Sequence, residues 1–480
     1  MAIVLLKNLS DGLRAMNENN KKASSSSSRN PKKLKKRGFG IFGGFGGRSF
    51  SGRSFSSKSS GTKADSSTNI SGVQETFSDN TKAFKQYVGI RSIFNPLWCL
   101  FGLRISVVIL TVFGLFMVFS SSSVTMITYG AGPWGSGMSQ LFYCVIGLVG
   151  YLIFSHLPVD FYKSRIITIY AISVFMQFLT FVPGIRHEVN GNASWIKIGP
   201  FTMQPAEITK LAICIWLPMA LILAKKAYKR VAMRAYIPTV VALGVSVLLV
   251  VAGKDLGTAL IILLIAVVAF YVGGFPTKWL VVALLTACAA VLLLVITSQN
   301  RMRRILATIH GCDAKSIRGV CFQAIHAQYA MASGGIMGVG IGNSREKWNY
   351  LPYAHNDFIF AIIGEEMGFI VASCVILLYI VIGWCLLTSA LQSTNKLVSI
   401  SLISIATWIV GQGLINILVV VQILPVMGVP MPFVSAGGSS LVMCLLAMGV
   451  ADSFIKSNPN IKFGNKWSLK RAKSRQQSGD

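Results

Sequence analysis

Five carboxylates sit inside or at the edges of long apolar runs: Glu207, Asp255, Asp357, Glu365 and Glu366. An ionisable group in such a setting is costly and marks a proton-transfer group, a substrate contact or an ion path. Each also has a plainer explanation. Glu207 and Lys210 are three apart at a helix start and can pair on one face. Asp255 follows Lys254 in a short turn, where it reads as a helix N-cap. His355-Asn356-Asp357 directly precedes the apolar run Phe358–Ile363, so spacing alone puts capping by Asp357 ahead of catalysis. Glu365 and Glu366 are either packing groups bonded inside a helix bundle or part of an ion or proton path. The remaining acids outside the tails are read as follows: Glu188, Asp313 and Glu346 as hydrated loop charges, Asp160 in a loop, and Asp452 near a helix end.

The elements that must hold these groups are apolar and long. Of 480 residues, 53% are hydrophobic and only 13% charged, against roughly 25% charged in an ordinary soluble domain. Ten segments approach the length of about twenty residues needed to cross a bilayer: 104–123, 139–157, 166–183, 207–224, 236–252, 257–274, 278–297, 358–383, 397–423 and 434–455. The expected fold is therefore an all-α, polytopic integral membrane protein with ten transmembrane helices. The short loop at 225–235 carries Lys225, Lys226, Lys229, Arg230 and Arg234, whereas loops 124–138 and 424–433 carry no charge. Positive charge stays inside, so both termini are expected in the cytoplasm and the long loops 184–206 and 298–357 outside it. The loop at 298–357, between the seventh and eighth spans, is the large extracytoplasmic one.

The net charge of +29 is concentrated at the ends. Residues 1–90 read as a disordered, basic, Ser- and Gly-rich cytoplasmic tail, 91–455 as the membrane domain, and 456–480 as a second basic tail. A run such as Pro31-Lys32-Lys33-Leu34-Lys35-Lys36-Arg37, beside a span, attracts anionic headgroups or fixes orientation, so no nucleic-acid partner is expected. The nine cysteines show no metal-ligand spacing; Cys312 and Cys321 share one external loop and read equally as a disulfide or as two free thiols.

Four stretches in order resemble one family, the polytopic proteins of shape, elongation, division and sporulation that include FtsW, RodA and SpoVE. Ala193-Ser194-Trp195-Ile196 through Gln204-Pro205-Ala206-Glu207-Ile208-Thr209-Lys210 resembles its W-I-x-x-G…Q-P-S-E-x-x-K segment. Asp255-Leu256-Gly257-Thr258 is similar to its D-L-G-T turn. Gly334–Ser344 leads into Tyr350-Leu351-Pro352-Tyr353-Ala354-His355-Asn356-Asp357-Phe358-Ile359-Phe360-Ala361, which resembles the loop ending P-E-A-H-T-D-F-I-F-A. Pro432-Phe433-Val434-Ser435-Ala436-Gly437-Gly438-Ser439-Ser440 resembles P-F-x-S-Y-G-G-S-S. Ala206, Tyr353, Asn356 and Ala436 depart from the pattern, and none of them removes the aspartate.

The resemblance implies a peptidoglycan glycosyltransferase that polymerises lipid II in the bacterial plasma membrane with release of undecaprenyl pyrophosphate. It carries the family's external aspartate over to Asp357 as general base, since a sugar hydroxyl is a poor nucleophile until its proton is being removed. Gln204, Glu207, Lys210, Arg301, Arg304, His355 and Ser439 are the substrate-binding candidates. A divalent cation, Mg or Mn, is an alternative source of charge compensation, with Asp357 and Glu207 as its candidate ligands. The family also implies a class B penicillin-binding transpeptidase as partner. The long tail and the His355–Glu366 segment look nearer to FtsW than to RodA, which favours septal synthesis in cell division over elongation. A lipid-linked sugar flippase or a non-catalytic division scaffold are the competing readings.

Overall fold

The computed structural model describes residues 93–461 apart from 129, 131, 190, 191, 200, 311–318, 320, 349, 459 and 460. The expected tail at 1–90 and most of the one at 456–480, together with Cys312 and Asp313, lie outside the described residues.

Among the described residues twelve helices dominate: α1 Pro96–Thr128, α2 Gly135–His156, α3 Val159–Phe178, α4 Pro205–Val231, α5 Ile237–Ala252, α6 Leu256–Gly273, α7 Thr277–Ile296, α8 Gln299–His310, α9 Phe322–Gly334, α10 Ile359–Gln392, α11 Lys396–Val420 and α12 Gly438–Lys456. Among the described residues, nine helical segments are long and apolar enough to cross a membrane; one of them, Pro205–Ala252, comprises both α4 and α5 with a 3-10 turn at Ala232–Tyr236 between them. The chain is a multi-pass, helical membrane protein. Helix boundaries follow local chemistry. Asp255 caps α6 by accepting from the Thr258 amide at 3.0 Å, and Asn395 caps α11 through the Leu397 amide at 3.1 Å.

Without a hydrophobic force between helices in lipid, close packing needs small residues. A methyl at Gly147 would lie 2.6 Å from Leu445 Cδ1, and one at Gly449 2.7 Å from the Tyr151 carbonyl, so α2 and α12 meet through glycine. The core lies among α1, α4, α6, α10, α11 and α12, where Leu110, Met117, Ile213, Ile262, Ile363, Trp408 and Met448 are fully buried. By contrast α7 buries none of its twenty residues.

The structure departs from the sequence expectation in four places. Residues 186–203, read as loop, form an antiparallel sheet of β1 Arg186–Val189, β2 Asn192–Ile198 and β3 Phe201–Met203. Its side chains Ala193, Ser194 and Ile196 are buried, and the Ala193 amide donates to the Gly253 carbonyl at 3.1 Å, fastening the sheet to the α5–α6 turn. The stretch 298–357 is not plain loop, since α8 and α9 occupy much of it. Glu346 is no hydrated charge: it contacts His326 of α9 at 2.6 Å with both side chains mostly buried. Asp160, read in a loop, lies in the first turn of α3, whereas Asp452 is near a helix end as expected, buried and accepting two bonds from Arg104, at 2.8 and 3.0 Å.

Gly368 breaks α10 at φ 75°, ψ −175°. The freed backbone groups are met by the glycine-rich loop after α9: the Val339 and Gly340 amides donate to the carbonyls of Glu365 and Glu366 at 2.9 and 3.0 Å, and the Phe369 amide donates to Gly335 O at 3.0 Å. A Cβ at Gly338 would stand 2.3 Å from the Glu366 carbonyl, which explains glycine there.

Candidate active site

Asp357 lies in the irregular turn that feeds α10. The N-cap position of that helix belongs to Phe358, with no side-chain cap bond, so the capping explanation for Asp357 does not hold. The backbone is fixed instead. Ala436 N donates to His355 O at 2.9 Å, Ser435 Oγ to Asn356 O at 2.7 Å, and Asn416 Nδ2 of α11 to Asp357 O at 2.8 Å. Three consecutive carbonyls are thereby held by the segment before α12 and by α11. Two of the four family-like stretches, around 355–357 and 432–440, meet directly in this clamp.

The carboxylate itself takes no part in the clamp. It is half-buried, and no hydrogen bond to it comes from the described residues. Gly428, at φ 69°, walls it; a Cβ there would lie 3.6 Å from Oδ2. Burial, then the negative charge of Asp255, raise its pKa from 3.8 to about 6, while Arg304 pulls the other way. Such a group ionises just below neutral pH, where a general base works with a useful balance of availability and proton affinity. Burial lowers the pKa of His355, and its Nδ1 is enclosed without a partner. His355 therefore favours the neutral, packing form.

Asp255 faces Asp357 electrostatically while capping α6, and Gln204 Nε2 donates to its Oδ2 at 2.5 Å. Gln204 N in turn donates to Ser439 Oγ at 3.4 Å. Gln204, Asp255 and Ser439 thus join the other stretches into one end of the bundle. On α8, Arg304 Nη1 donates to Val426 O at 3.3 Å and Arg301 Nη2 to Lys254 O at 3.4 Å, which holds both guanidiniums beside the turns that flank Asp357 and Asp255.

Lys210 and Glu207 form the pair that their spacing allowed, and the fold buries it. Lys210 Nζ donates to Glu207 Oε1 and to Gln412 Oε1, both at 2.8 Å, and lies 5.0 Å from the Trp408 ring centroid. Both charged side chains are almost fully buried. Gln412 Nε2 donates onward to Pro430 O at 2.8 Å. The pair therefore stands behind the 428–430 wall and supports it. Among the described residues no three His, Cys, Asp or Glu side chains converge to hold a metal ion; Glu207 Oε1 is taken by Lys210, and its buried Oε2 has no hydrogen-bond partner. Asp357 and Glu207 belong to no such cluster.

Sequence reasoning passed over Gln412, Asn416 and Gly428. The first two are polar residues four apart in an otherwise apolar run, a spacing that puts both on one helix face. That signal was present. Glu365 and Glu366 turn out to be bonded inside the fold: Glu365 accepts from Ser344 Oγ at 2.5 Å and Arg345 N at 2.9 Å, and Glu366 from Lys347 Nζ and Ser120 Oγ, each at 2.8 Å.

The model of the FtsW, RodA and SpoVE family, described as cell cycle protein, matches residues 102–458. A Mycobacterium tuberculosis protein named probable peptidoglycan glycosyltransferase FtsW is 33% identical over 352 residues, covering 73% of this chain and 66% of that one, so this chain spans just under two thirds of that relative's length. Stage V sporulation protein E of Bacillus subtilis is 33% identical over 349 residues, covering 72% of this chain and 93% of that one. A solved chain described under "Structural coordination of polymerization and crosslinking by a peptidoglycan synthase complex" shares the fold with a TM-score of 0.61 at 22% identity, covering 75% of this chain and 98% of that one. On the match of its membrane region and on these relatives, the chain belongs to the family of cell cycle proteins that FtsW, RodA and SpoVE define.

Proposed function

We propose that this chain is a peptidoglycan glycosyltransferase that polymerises lipid II into glycan strands. The observation that carries the reading is the carboxylate of Asp357: clamped through its backbone, spared from capping, and poised with a pKa of about 6. The names of the relatives, FtsW and stage V sporulation protein E, point the same way.

In the proposed reaction a hydroxyl of the acceptor sugar attacks the anomeric carbon of the donor. The new glycosidic bond forms as the bond from that carbon to the diphosphate oxygen breaks, and undecaprenyl pyrophosphate departs with the electron pair. Asp357 takes the hydroxyl proton and passes it to water. Diphosphate is a stable leaving group, so a second carboxylic acid of the kind glycosidases use is not needed. Arg304 and Arg301 supply the positive charge that the departing diphosphate requires. Asp255 keeps Asp357 basic, and Gln204 with Ser439 sets the position of Asp255. Glu207 and Lys210 hold the 428–430 wall.

The same reading places α4 and α5 as separate spans, giving ten, with both termini in the cytoplasm and Asp357 on the outer face. Exposed α7 lies against lipid and borders the path of a polyprenyl chain. Synthesis at the division septum is favoured over elongation by the tail and the His355–Glu366 segment. A transpeptidase of the penicillin-binding class fits as partner, because a structural relative is described as part of a complex that polymerises and crosslinks.

Purified protein, with a transpeptidase partner where required, is given lipid II and followed for glycan chains and for movement of lipid II across vesicles. Chains from the wild type and none from Asp357→Ala support the proposal. Lipid II movement without chains from either version establishes a flippase, and neither activity establishes a scaffold.

A further inference from the structure

Lys347 and Glu366 form an ion pair at 2.8 Å with side chains only 3% and 0% exposed. Burying two charges is expensive, and well-packed apolar residues of similar volume commonly hold a fold as well. A role beyond cohesion is therefore worth seeking. Three features of the surroundings define one. The pair is not alone, because Ser120 of α1 also donates to Glu366, and Glu365 next door binds both Ser344 Oγ and the Arg345 amide. Apart from the Ser120 bond, these contacts grip one short stretch, 344–347, just after the glycine-rich loop. Ten residues later the same chain reaches Asp357 and enters α10, the helix that carries both glutamates.

The segment 344–357 is thus held at both ends. Its upper end is held at 355–357 by Ala436, Ser435 and Asn416. Its lower end is held at Glu365 and Glu366, which lie eight and nine residues beyond Asp357, about 13 Å along a helix axis. Neighbouring Glu346 faces the other way, onto His326 of α9. Adjacent residues therefore string this segment between α9 and α10, and directional charge contacts fix its register where apolar packing would let it slide.

We propose that Lys347 and Glu366 are positioning residues for the transfer reaction, setting the height and orientation of Asp357 through the segment that joins them. This rests on the glycosyltransferase reading of Asp357. A displacement of about 1 Å at a reacting group costs up to about 100-fold in rate.

The test uses the full-length protein and the paired neutral variant Lys347→Met/Glu366→Gln, which leaves neither charge orphaned. Expected are a wild-type melting temperature within a few degrees, kcat lowered tenfold or more, KM for lipid II within about twofold, and faster amide hydrogen exchange confined to 344–357. Lys347→Arg, which keeps the cation, is expected to restore most of kcat. A folded double variant with wild-type kcat and unchanged exchange overturns the proposal. Should the double variant not fold, Glu366→Asp shortens the tether by one methylene while keeping the charges; lowered kcat supports positioning and wild-type kcat refutes it. If the wild type makes no glycan chains, the functional reading is what has failed, and the exchange measurement still decides whether the pair tethers the segment.

Discussion

Replacing Asp255 by Asn removes the one negative charge that the structure places against Asp357, yet keeps a side-chain oxygen to cap α6. Two causes hold Asp357 at about 6 instead of 3.8: burial first and the Asp255 charge second, with Arg304 opposing. A general base acts only when ionised, so wild-type polymerisation should fall about tenfold per pH unit below a midpoint near 6. In the variant burial remains and Arg304 gains weight, so the midpoint moves down but not all the way to 3.8. If it falls by about one unit, the ionised fraction at pH 5 rises from roughly a tenth to roughly a half, so the rate relative to its own plateau rises about fivefold. The assay is initial glycan-chain formation from lipid II between pH 4.5 and 8, each enzyme normalised to its plateau. An unmoved midpoint, or one displaced upward, would refute the electrostatic coupling of the two aspartates.

Three further outcomes follow. Asp357→Asn should raise the melting temperature at pH 7.5 and leave it unchanged at pH 3. The folded pKa lies above the unfolded one, so stability is lost as pH rises from about 4 to about 6; the upper bound is about 3 kcal/mol, reduced because the group is partly solvated. Gly428→Ala places a methyl 3.6 Å from Asp357 Oδ2 at φ 69°, costing only about 1–2 kcal/mol of stability by thermal melting but a much larger factor in kcat, because the methyl occupies the approach to the base. Asn416→Leu leaves the carbonyls of Asp357 and Val429 without this donor, so kcat should drop while lipid II binding, followed by a fluorescent analogue, stays within about threefold.

The helices were legible because apolar length is a direct consequence of bilayer thickness. The positions of the family-like stretches were legible too, and the structure gathers Gln204, Asp255, Asp357 and Ser439 at one end of the bundle. What spacing could not settle was the work of Asp357, since a cap and a base both call for a carboxylate before an apolar run. Phe358 at the cap position removes the first of these readings. For Lys210, spacing left pairing and substrate contact both open for a related reason: a cation three residues from Glu207 satisfies a pairing rule whether or not substrate is near. Its depth follows from Gln412, which lies 202 positions away and leaves no local trace. The β-sheet was missed because its strands are only four, seven and three residues long. Lys347 was invisible for want of a partner in sequence, and Glu346 beside it looked like an ordinary surface charge.

The central claim concerns a single oxygen atom accepting a proton, and a substitution series at position 357 reads it most directly. Purified wild type, Asp357→Glu and Asp357→Asn are each mixed with lipid II at pH 7.5, and chain formation is timed over the first turnover. The account predicts that Asn, isosteric but unable to take the proton, is slower by at least about 100-fold, and that Glu keeps measurable activity. Asn polymerising within a few-fold of wild type would contradict it.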